Sequence, residues 1–122
     1  MLLRTLSMLC LVASFAPASS MAAERYAALE CQKDRLFVVV NFFRDYQYRL
    51  SWGIDDVLHG DNIEVTRHNW GVIETFASPN VKLDLPVSRG GEDQKPRPGI
   101  LYTEEPVPQI WETLQCVMLE AD

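Results

Sequence analysis

Apolar and polar residues alternate with a period of two through the middle of the chain. In YQYRLSW, Tyr46, Tyr48, Leu50 and Trp52 fall on one side and Gln47, Arg49 and Ser51 on the other. In VKLDLPV, Val81, Leu83, Leu85 and Val87 oppose Lys82 and Asp84. Successive side chains of a strand point to opposite faces, so each run predicts a strand with one face in a core. Ile63 and Val65 alternate with Glu64 and Thr66 in the same way, and WGVIETF, which starts at Trp70, is β-branched and aromatic. RLFVVVNFF, which starts at Arg35, is apolar on both sides and predicts a central strand covered on both faces. Pro86 has no amide hydrogen to donate, so it marks a sheet edge or a strand end.

Turn-forming residues punctuate these runs. Asp45, Gly60-Asp61-Asn62, His68-Asn69 and Ser78-Pro79-Asn80 supply turn chemistry. SRGGEDQKPRPG, from Ser88 to Gly99, holds three glycines, two prolines and five charges, with no other apolar residue, and predicts a long exposed loop. The ends are ambiguous. IWETLQCVML and ERYAALEC fit either strand alternation or a helical stripe. The expectation is a mostly β fold: a small antiparallel sheet, sandwich or barrel-like meander, with an α+β fold carrying a terminal helix as the alternative.

The first residues change the picture of where the domain starts. Arg4 precedes an apolar run from Leu6 to Ala16, and small residues follow. This is the layout of a secretory signal peptide. The run is shorter than the roughly 20 residues that span a bilayer. Ser20-Met21-Ala22 fits the small-x-small cleavage rule, which divides the chain into a leader, residues 1–22, and one exported domain, residues 23–122. The leader points to the periplasm of a Gram-negative cell, or to secretion, with no membrane anchor after cleavage. A domain of this size buries a limited core and gains from a staple. Cys10 falls in the leader, so Cys31 and Cys116 have one intramolecular pairing, and an oxidising compartment favours it.

The 122-residue chain has 11 basic and 17 acidic residues, a formal charge of −6. Loss of Arg4 takes the mature form to −7. That charge argues against nucleic-acid binding, disfavours anionic lipid and steers toward a basic partner.

Candidate chemistry concentrates in GIDDVLHGDN, where Asp55, Asp56 and Asp61 surround His59. An EF-hand would need oxygen ligands at its third and fifth positions, where Val57 and His59 stand. Zinc would need more than one good nitrogen or sulfur ligand. The segment reads as a polar connector between a strand ending at Trp52 and one starting at Ile63, with Gly60 supplying positive φ; no metal and no cofactor is expected. No G-x-S-x-G, free cysteine or phosphate cradle offers a catalytic residue. Among the aromatics, Trp70 in HNWG sits beside turn residues, where a ring can stay exposed. The long loop adds Arg89, Glu92, Asp93, Lys95 and Arg97 as candidate binding residues. The layout resembles that of small periplasmic inhibitors and immunity proteins that cap lysozyme-like or amidase enzymes. The expected function is a non-catalytic periplasmic binding protein, an inhibitor, immunity or accessory protein for a basic envelope protein or cell-wall hydrolase. The alternatives are a small-molecule or glycan-binding domain using exposed tryptophans and, third, a small metal-dependent enzyme.

Overall fold

The turns set the connectivity. Asp34, Asp45, Tyr46, Asp55 and Asp56 all have positive φ, between 53° and 70°. Tight hairpins need this left-handed backbone because it matches the twist of the strands they join. Aspartate tolerates it through its short polar side chain. In a computed structural model describing residues 24–87, 95–104 and 108–120, the chain forms β1 (Arg25–Lys33), β2 (Leu36–Phe43), β3 (Gln47–Ile54), β4 (Val57–Asn69), β5 (Ile73–Ala77), β6 (Val81–Pro86), β7 (Arg97–Thr103) and β8 (Ile110–Glu120). Each strand is antiparallel to the next, and β1 pairs with β8, so the meander closes into a barrel. The expected leader lies outside the described residues.

Strand alternation decides what fills the barrel. Leu29, Val38, Val40, Leu50, Trp52, Phe76, Leu83, Leu85, Leu101 and Leu114 point inward and are almost fully buried. An eight-stranded barrel has an interior just wide enough to be filled by side chains, and here Trp52 and Phe76 are the largest. Apart from an ionic cluster at one end, the buried interior is apolar, and most charges lie on the outer wall.

Both terminal segments are strands. Cys31 and Cys116 are direct partners in the β1–β8 ladder and form a disulfide inside the barrel. Gly99, on β7, makes room for it. A Cβ there would stand 2.6 Å from Cys116 Sγ, closer than real side chains come. Gly99→Ala should therefore destabilise the oxidised protein by roughly 1–3 kcal/mol, the usual range for overpacking. In the Cys31→Ser/Cys116→Ser background the two-state urea midpoint should respond less, because a hydroxyl is smaller than the bridged sulfur.

Several local expectations are corrected. GIDDVLHGDN is not a long connector: only Asp55 and Asp56 form the turn, and His59 to Asn62 belong to β4. Two register slips against β3 show how β4 absorbs the extra residues. His59 is the surplus residue of one bulge, and Asp61-Asn62 oppose Ser51 in the other. Ser51 Oγ donates to Asp61 Oδ1 at 3.2 Å and accepts from Asn62 N at 2.9 Å. Gly60 does not have positive φ. It is glycine because a Cβ would meet the Trp52 indole at 2.7 Å. His68 and Asn69 end β4 and precede the turn, whereas Gly71 and Val72 lie in that turn and β5 starts at Ile73. The outward residues of β2 are half-buried, and among the described residues no second layer covers them. Arg97, Pro98 and Gly99 are strand residues, so β7 begins earlier than the loop-like composition implied, and residues 88–94 of the expected loop lie outside the described residues.

Candidate binding surface

Trp70 follows directly from the end of β4. Its backbone N–H donates to Ile73 O at 2.8 Å, and Gly71 N donates to Asn69 Oδ1 at 2.9 Å. Gly71 carries the positive φ of 98° that this turn requires. The Trp70 indole N–H then donates to Thr75 Oγ1 at 3.2 Å, and the Thr75 hydroxyl donates to Asp84 Oδ1 at 2.6 Å. His68 stacks on the indole, with centroids 5.3 Å apart and planes 15° apart. The polar edge of the ring is thus satisfied while 66% of the residue stays exposed. Val72 and Ile73 beside it are 70% and 44% exposed. The ledge borders an outer groove of about 420 Å³ whose floor includes Thr75, Ala77, Lys82 and Asp84.

A second aromatic pair lies farther round the wall. Lys82, Tyr102 and Trp111 occupy one register row across β6, β7 and β8. The Tyr102 and Trp111 centroids are 5.3 Å apart, and Lys82 Nζ stands 4.6 Å from the Tyr102 centroid.

Behind the ledge, an ionic cluster occupies the barrel end. Glu74 points inward and is only 2% exposed. Arg67 donates to Glu74 Oε2 from Nε at 3.1 Å and from Nη2 at 2.7 Å. Arg97 Nη1 stands 3.6 Å from Glu74 Oε1 and also donates to the Pro86 carbonyl. The Arg67 guanidinium lies over the rings of Phe42, Tyr48 and Phe76. Burial works against the Arg67 cation, but hydrogen bonds to Glu74 and Tyr48, together with the Glu74 charge, outweigh it and hold its pKa above the ordinary value. Nε and Nη2 of Arg97 have no hydrogen-bond partner among the described residues. A buried carboxylate flanked by two guanidiniums, one of them covered by three rings, closes this end of the barrel as a structural plug.

The expected site residues part company. Trp70 is exposed on the ledge, and Lys95 is exposed just before β7. Arg97 turns into the barrel. Arg89, Glu92 and Asp93 lie outside the described residues. Each histidine lies against a tryptophan: His59 stacks on Trp52 with centroids 5.2 Å apart, and His68 stacks on Trp70. Among the described residues no group of three or more His, Cys, Asp or Glu is placed to hold a metal, and no helix is long and apolar enough to cross a membrane. Sequence reading missed Glu74 and Arg67, although Glu74 shares the inward parity of Phe76. It also missed Val72 and Ile73, which looked like strand core. Comparison with protein-family models, curated proteins and solved structures finds no match.

Proposed function

We propose that this chain is a non-catalytic exported binding protein that holds a protein partner of the cell envelope through the ledge of Trp70, Val72 and Ile73. The observation that carries this reading is an exposed tryptophan whose N–H is satisfied from within and whose ring is braced by His68. A ring fixed before binding loses little freedom on contact, and tryptophan is the residue type most enriched where interface energy concentrates. The two aliphatic neighbours favour an apolar protein surface over a sugar, whose hydroxyls need polar partners. The negative charge favours a basic partner and fast, salt-sensitive association. An inhibitor or accessory subunit of a basic envelope enzyme fits these properties.

A second reading, glycan binding, draws on Tyr102 and Trp111. Trp111 is 74% exposed beside Tyr102, and Lys82 stands against the Tyr102 ring, so the pair offers a stacking platform with a hydrogen-bond donor at its far side. The experiment is affinity capture from periplasmic extract, followed by titration of the captured partner. Trp70→Ala should weaken binding by about 30-fold, the effect of a roughly 2 kcal/mol hot spot. It should leave Tm nearly unchanged. Equal affinity of wild type and Trp70→Ala, with loss only in Trp111→Ala, would transfer the function to the other aromatic pair.

A further inference from the structure

Strand β4 has a long unpaired edge. It bonds to β3 through Val57–Val65, but to β5 only through Thr66–Asn69. Strand β5 stops at Ala77 and the chain turns through Ser78 to Asn80 into β6, so among the described residues nothing pairs with the β5-facing edge of Val57–Val65. The direction of the free groups follows from alternation. Trp70 N–H bonds toward β5, and in an antiparallel ladder every second residue bonds to the same side. Counting back in twos, the N–H and C=O of Glu64 face the unpaired side. The two-residue turn at Asp55-Asp56 makes Val57 bond to β3, which leaves Leu58 facing the unpaired side as well.

We infer that this edge takes up an extended strand of a partner polypeptide in which cationic and apolar residues alternate. An unpaired edge is a template for strand addition, where main-chain bonds give affinity and alternate side chains give specificity. Both faces of the edge define that alternation. Toward the barrel, Ile63 is only partly buried against the core and Val57, the partner of Ile54, is exposed, so apolar residues of an added strand would cover both. Outward, Asp61 and Glu64 are exposed together with Leu58, and Asp56 is exposed in the adjoining turn. Arg49 stands 3.8 Å from Glu64, which leaves an acidic excess for cations to meet. The same features disfavour a second copy as occupant. Antiparallel self-pairing about the middle of Val57–Val65 sets Asp61 opposite Asp61, and like charges directly opposite destabilise a sheet. The two bulges further spoil a self-complementary ladder. This surface is separate from the Trp70 ledge, so the two readings stand or fall apart.

The probe is a synthetic octapeptide alternating Lys or Arg with Val or Thr. One control replaces each cation with Glu. The other keeps the cationic sequence but N-methylates every second residue, removing the donors along one edge. Amide exchange and titration are followed by NMR on the full domain. The cationic peptide should slow exchange of the Leu58 and Glu64 amides, and each control should bind about tenfold more weakly or worse, the effect of losing one or more hydrogen bonds or reversing the charge. Glu64→Pro deletes a donor at an edge position where proline is tolerated and should abolish the effect. Trp70→Ala should not. Equal binding of all three peptides, or no slowing at Leu58 and Glu64 at millimolar peptide, overturns the proposal. So does concentration-dependent protection of these amides without peptide, which would make a second copy the occupant. If Glu64→Pro does not fold, the N-methylated comparison on wild type decides alone.

Discussion

Removing the Cys31–Cys116 bond should lower stability by about 4.5 kcal/mol, the chain-entropy value for a loop of this length. The bond spans a sequence separation of 85 residues and joins the first strand to the last. Every hairpin ladder in the barrel forms between neighbours in sequence. The β1–β8 ladder alone requires the two ends to meet, and that closure carries the largest loss of chain freedom. The covalent link confines the unfolded chain to conformations in which the ends are already close. The Cys31→Ser/Cys116→Ser protein should therefore show a lower urea midpoint and a Tm reduced by roughly 15 °C or more. It should also fold more slowly, because the long-range pairing must be found by search. A loss under about 1 kcal/mol would mean that the unlinked chain already holds its ends together.

Glu74→Ala should be the most damaging point substitution outside the apolar core. It leaves Arg67 and Arg97 facing each other across a barrel end with no anion between them. Removing one partner from a buried ionic group costs about 3–5 kcal/mol, because the remaining charge stays desolvated. Arg97→Met is the informative counterpart. It keeps most of the volume, removes two guanidinium nitrogens that have no partner among the described residues, and leaves the Arg67–Glu74 pair intact. Its destabilisation should be much smaller than that of Glu74→Ala, and neutral or favourable values are within the physics of replaced buried ions. Thermal and urea unfolding of both variants reads the difference. If the two destabilise equally, the cluster acts through packing, and the charge argument fails.

The strands were legible where alternation was strict. Tyr48, Leu50 and Trp52, and again Val81, Leu83 and Leu85, point inward as their spacing implies. The cysteine pair was legible because elimination left one pairing. Closure into a barrel was only one of several β architectures in view, because local alternation is the same in a sandwich. β4 was misjudged for a different reason. Aspartate, glycine and asparagine serve turns and bulges alike, so Gly60-Asp61-Asn62 looked like a reversal where the strand only takes up an extra residue. Arg97 was assigned to the loop by its neighbours Pro96 and Pro98. Pro98, however, lies where β7 pairs with β8 alone, a position that tolerates a missing donor. On the candidate surface, Trp70 could be picked out because turn residues flank it. Val72 and Ile73 could not, because exposed and buried aliphatics are identical in sequence.

The placement of the disulfide has a consequence for survival among proteases. The two sulfurs sit on the first and last strands, so a peptide bond cut anywhere between Cys31 and Cys116 yields two fragments that remain one covalent molecule. All seven strand-to-strand connections fall inside that interval. A nick in any of them removes chain continuity at one place, yet both pieces keep their neighbours in the ladders on either side and neither can diffuse away. Clipping would become visible only on a reducing gel. Proteolytic damage at one turn would thus be a scar on a standing barrel, and separating the two pieces of a single nick would require a reductant.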